Sequence, residues 1–174
     1  MIIKRSDKGS AITYLELDNN FNYLTVGLFD NYTTSGNVNA VETQLTSYVI
    51  PPNLFNNNGE KVKCEYGGSM VANANNILKL YLNEVLIYDS GTNGSVASDW
   101  YLDVTLIRAS SSVLRYIVKV MDSDSISFAN YISVGELTGL NLATTNTLKL
   151  SAISGATNNI TCKMNSGIWL PRVL

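Results

Sequence analysis

Residues 100–121 read WYLDVTLIRASSSVLRYIVKVM: two alternating apolar/polar runs, 100–108 and 113–121, on either side of the polar break Ala109-Ser110-Ser111-Ser112. Alternation at a period of two puts apolar side chains on one face of a strand, and a break this short is of hairpin length. The same pattern repeats upstream. NILKLYL (76–82) and EVLIYD (84–89) flank Asn83, a tight hairpin-like connection. EKVKCEY (60–66) places Val62, Cys64 and Tyr66 on one face and Lys61, Lys63 and Glu65 on the other, after the turn-rich FNNNG. QLTSYVI (44–50) stops at Pro51-Pro52, which cannot donate to a strand ladder. ISFANYISV (126–134), NTLKLSAI (146–153) and NITCKMNSGIWL (159–170) complete the series.

Short strands at this spacing, with no helical run between them, imply antiparallel sheets. The expected fold is an all-β, antiparallel jelly-roll β-sandwich over 44–174, with an up-and-down barrel as the alternative. No internal repeat points to a propeller or a β-helix. The 174 residues suffice for one domain and an arm. Charged residues make up only 15%, so the polar surface falls to Asn, Ser and Thr, which suit turns and strand faces. A net charge of −2 makes no basic field, so neither nucleic acid nor an anionic membrane is an expected partner. No apolar run reaches the roughly 20 residues of a membrane span, and MIIKRSDKGS lacks the apolar core of a secretory signal.

The N-terminal stretch AITYLELDNNFNYL (11–24) breaks the β pattern. Thr13 and Glu16 fit a capping box, in which the hydroxyl takes the Glu16 amide and the carboxylate returns to the Thr13 amide. Ile12 and Leu17 fit the hydrophobic staple. Together they predict a short α-helix over 14–25. Tyr14, Leu17, Phe21 and Leu24 follow the 3.5-residue repeat of a coiled-coil seam. So short a helix is marginal alone, and its stripe needs cover, either on its own β domain or between chains. The absence of a second amphipathic helix favours cover between chains. GLFDNYTTSGNVNAVET (27–43) has no sustained period and reads as a connector, which makes 1–43 an anchoring arm.

Chemistry is sparse. The chain has no histidine, which removes the usual general base and zinc ligand. Cys64 and Cys162 read as two buried thiols rather than a disulfide. Asp99 and Asp103 share a strand face at even spacing, and a solvated face explains them better than a catalytic pair. Asp122-Ser123-Asp124 imitates a calcium loop but lacks its glycine and final glutamate. No enzyme activity, cofactor or metal is expected. The polar loop DSGTNGSVASDW (89–100) leads into Trp100 and Tyr101, whose rings are candidate contacts for a glycan.

KGSAITYLELDNNFNYL resembles the N-terminal segment of tailed-bacteriophage fibre and appendage proteins, at Lys8, Gly9, Ser10, Glu16, Leu17, Asp18, Asn20 and Phe21. SYVIPPNLFNNNGEKVKCEYGGSMVANANNILKLYL, VLIYDSG and NTLKLSAISGATNNITCKMNSGIWL resemble a jelly-roll domain of phage and other viral surfaces. The resemblance implies a non-enzymatic virion protein, a trimeric tail fibre, head fibre or capsid decoration. It would be made in the host cytoplasm and seated on capsid, portal or tail proteins through its N-terminal arm. The homotrimer would close Tyr14, Leu17, Phe21 and Leu24 into one seam. A receptor- or glycan-binding tip that mediates host adsorption is the alternative.

Overall fold

The structure is a computed structural model and describes residues 26–72, 75–92, 96–123 and 131–171. The helix expected over 14–25, its Thr13–Glu16 cap and the seam of Tyr14, Leu17, Phe21 and Leu24 lie outside the described residues.

Eleven strands are described: β1 (Val26–Asn31), β2 (Ser35–Gly36), β3 (Thr43–Ile50), β4 (Lys61–Met70), β5 (Ile77–Leu82), β6 (Val85–Asp89), β7 (Ser98–Ser110), β8 (Val113–Asp122), β9 (Tyr131–Leu137), β10 (Asn146–Ile153) and β11 (Ile160–Leu170). The larger sheet runs β1-β11-β4-β7-β8-β9, with β2 also on β11, and the smaller runs β3-β10-β5-β6. Every pairing is antiparallel. The chain passes repeatedly between the sheets, and the result is a jelly-roll-like antiparallel sandwich.

Alternation explains which residues line the core. Along β7, Trp100, Leu102, Val104 and Leu106 are buried, while the residues between them face outward. Facing them from the smaller sheet are Leu78, Leu80, Leu82, Leu148 and Leu150, all fully buried. The β5–β6 hairpin turns through Asn83 and Glu84, both at positive φ (48° and 62°), as a two-residue primed turn requires. Asn83 tolerates this conformation, and its side chain is held by the Thr147 amide (2.8 Å) and by Asn146 (2.6 Å).

Two expectations are corrected. The stretch 27–43, read as a connector, supplies most of β1 and all of β2. It joins the sheet because β11 offers an open edge and because Phe29 stacks on Tyr48 of β3, with ring centroids 4.3 Å apart. The strand expected to end at 134 continues to Leu137 as β9, its ladder with β8 running from Tyr131 opposite Val120 to Leu137 opposite Leu114, while 126–130 of the expected range lie outside the described residues.

Cys64 and Cys162 are free, buried thiols. Cys162 stands opposite Gly68 and Cys64 opposite Gly167, which separates the two along the β4–β11 pair. Burial pushes the Cys64 thiol up to about 12 and the Cys162 thiol to about 11.

Candidate functional site

The outer face of the larger sheet carries the candidate binding surface. It is built in rows by the strand register. Glu65 of β4 lies opposite Asp103 of β7, Asp103 opposite Lys119 of β8, and Lys119 opposite Ile132 of β9. In the next row, Gly67 lies opposite Tyr101 and Tyr101 opposite Met121. A depression of about 420 Å3 opens here, lined by Tyr101, Asp103, Lys119, Val120, Met121, Tyr131 and Ile132.

Its polar lining on β7, Tyr101 and Asp103, is held in place from β4. Lys63 donates to Glu65 Oε1 at 2.6 Å and lies 3.4 Å from Asp103 Oδ2. The Tyr101 hydroxyl donates to the same Glu65 oxygen at 2.6 Å. This bond ties the phenol down beside the depression. The Lys63 hydrogen bond, assisted by that from Tyr101, holds the Glu65 carboxyl below its ordinary range. Burial, with the Glu65 hydrogen bond, raises the Tyr101 phenol well above its usual value, so it stays a neutral donor. Met121 (51% exposed) and Ile132 (65%) supply an apolar floor.

The two residues expected to contact a glycan part company. Trp100 is buried in the core, its ring against Gly68, so it presents no face to a ligand. Tyr101, one position on, points to the outer face and lines the depression. Adjacent strand residues face opposite ways, so only one of the pair was ever available. Asp99 and Asp103 do share the outer face, with Asp103 paired to Lys63. The residues that the sequence did not single out are Lys63, Glu65, Lys119, Met121 and Ile132. They come from three other strands, and only pairing assembles them. Asp122 ends β8, and residues 124–130 of the calcium-like stretch lie outside the described residues. Among the described residues, no group of three or more Cys, Asp or Glu side chains is placed to hold a metal ion.

No protein-family model matches the chain, and no curated protein matches it by sequence. Solved structures do. Peanut lectin with a nine-residue peptide (PVIWSSATG) is 12% identical, with a TM-score of 0.41 over 86% of this chain and 99% of the lectin. The CBM2 module of the evolved Dit of Lactobacillus casei BL23 phage J-1 is 9% identical, with a TM-score of 0.37 over 74% of this chain and 70% of the module. A Shewanella oneidensis MR-1 protein of unknown function is also 9% identical, with a TM-score of 0.37 over 95% and 98% of the two chains.

Proposed function

We propose that the chain is a non-catalytic, carbohydrate-binding protein of a bacteriophage surface, which holds a glycan on the outer face of its larger sheet. The observation that carries this reading is the depression at Tyr101, Asp103, Lys119, Met121 and Ile132. A sugar offers hydroxyls that both donate and accept, and a C–H face that packs on apolar side chains. The depression offers a carboxylate acceptor in Asp103, an ammonium donor in Lys119 and apolar side chains in Met121 and Ile132 within one sugar-sized space. Because Lys63 already holds Asp103 and Glu65 already holds the Tyr101 hydroxyl, little side-chain freedom is lost on binding.

Attachment to the particle belongs to the N-terminal arm, on the strength of the resemblance at residues 8–21. The test of recognition is a glycan array with the full chain, its Tyr101→Ala and Asp103→Asn variants, and Trp100→Phe as a core control. Binding is expected for the parent and the core control and lost in the other two. A folded parent chain that binds nothing, or variants that bind as the parent does, overturns the reading. The test of placement is immunogold electron microscopy of phage particles, in which label on the virion is the expected result.

A further inference from the structure

We infer, resting on the glycan-binding reading above, that the depression selects an uncharged sugar, two adjacent ring hydroxyls of which bridge Asp103 and Lys119. One pair of opposite charges is left open there. Among the described residues, three such pairs stand directly across a strand ladder: Lys79 and Asp89, Arg115 and Glu136, and Asp103 and Lys119. Opposite charges so placed attract one another and ordinarily close. Arg115 and Glu136 do so at 3.0 Å, and Lys79 and Asp89 at 4.0 Å. Asp103 turns instead to Lys63 on its other side, 3.4 Å from Oδ2. Lys119 is exposed and closes no ion pair among the described residues. The open pair is the one that lines the depression.

Charge balance decides the class of sugar. Around the depression two ammonium groups, Lys63 and Lys119, stand with two carboxylates, Glu65 and Asp103. A sugar carboxylate or phosphate would meet Asp103, with Glu65 behind it. An amino sugar would bring a further cation beside Lys119. Either adds a charge that has no counterpart, whereas an uncharged sugar leaves the balance intact. The open pair lacks a bridge that donates at one end and accepts at the other, and hydroxyls do both. Side chains directly opposite one another start about 5 Å apart, which two neighbouring hydroxyls of one ring can span. One donates to the Asp103 carboxylate and the next accepts from the Lys119 ammonium, each bond strengthened by the protein charge. The C–H face of the ring is left to pack on Met121 and Ile132.

The test is a glycan array that carries matched neutral, uronic acid, phosphorylated and amino-sugar glycans, probed with the full chain at low and at high salt. Binding is expected on the neutral set, with no loss at high salt, because the ligand carries no charge to be screened. Lys119→Met, at an exposed position, is expected to keep the circular dichroism and melting temperature of the parent. It is expected to weaken binding about tenfold or more, the loss of one charge-assisted hydrogen bond. Lys79→Met, which opens a closed pair on the smaller sheet, is expected to bind as the parent does. Binding that is equal or stronger on acidic or amino-sugar glycans, and is abolished by Tyr101→Ala, overturns the choice of class and leaves the glycan site standing. Neutral binding that survives Lys119→Met overturns the bridge in the same way. A folded parent chain that binds no glycan overturns both the bridge and the reading beneath it.

Discussion

The ring of Phe29 stacks on the ring of Tyr48, with centroids 4.3 Å apart and planes 28° from parallel, and so ties the edge strand β1 of the larger sheet to the edge strand β3 of the smaller. Phe29→Ala removes this clasp. The side chain is half-buried, so the loss is expected to be about 2–3 kcal/mol, below the full core value. Urea titration reads it as a lower midpoint with an unchanged slope. Gly167→Ala acts on the same contact, since its new methyl would lie 2.2 Å from Phe29 Cε1 and must displace the ring.

Gly67 and Gly68 predict opposite tolerance. A Cβ at Gly68 would lie 1.8 Å from the Thr161 carbonyl oxygen and 2.6 Å from Trp100, and neither the backbone nor a core ring can yield. Gly68→Ala is expected to abolish soluble expression. At Gly67 the nearest atom is Met164 Cγ at 3.1 Å, on a flexible side chain 41% exposed. Gly67→Ala is expected to stay folded, with a melting temperature within a few degrees of the parent.

Glu60 is buried, and its carboxylate accepts from the backbone amides of Asn56 and Asn57 and from Asn57 Nδ2. It closes the 52–60 loop onto the end of β7, where the Arg108 amide donates to the Glu60 carbonyl at 3.0 Å. Glu60→Ala strands three donors and is expected to cost about 2–3 kcal/mol. Thermal unfolding measures the loss, and Glu60→Gln, which keeps one acceptor, is expected to recover part of it.

Lys63 orders the depression more than it stabilises the fold. Lys63 and Glu65 are each about one-third exposed, so Lys63→Met is expected to cost about 1 kcal/mol or less by urea titration. Glycan affinity is expected to fall several-fold, because Glu65 and Asp103 lose their common anchor. The pH profile separates the two effects. Glu65 is held ionised below its ordinary 4.5 chiefly by Lys63, so binding by the parent is expected to survive further into acid than binding by the variant.

Alkaline pH is the condition expected to unfold the protein. Burial raises the Cys64 and Cys162 thiols from their ordinary 9.0 to about 12 and about 11, and raises the Tyr66 phenol well above 10.0. A group whose folded value is raised contributes stability that is fully present below its unfolded value and lost as pH rises through the folded one. Urea titrations are therefore expected to show stability falling progressively above about pH 9. Cys64→Ala is expected to flatten that fall. At pH 8 both thiols are expected to resist a disulfide reagent in the folded protein and react once it is unfolded.

The amino-acid sequence by itself determined the all-β class, most of the strands and the two hairpins. These features are local: alternation at a period of two, prolines at 51 and 52 that stop β3, and the turn at Asn83 between β5 and β6, which the structure widens to include Glu84. The capped helix expected at 14–25 lies outside the described residues. Tertiary structure alone decided that residues 26–36 join the larger sheet, since β1 and β2 are recruited by the open edge of β11 rather than by a pattern of their own. It also decided that Tyr101 and not Trp100 faces the depression. Alternation separates the two faces of a strand, but which face is covered depends on the strands paired beside it and on the opposite sheet. Glu65 meets Tyr101 across 36 residues of chain, and that distance is closed by hydrogen bonding between strands, which no local rule encodes.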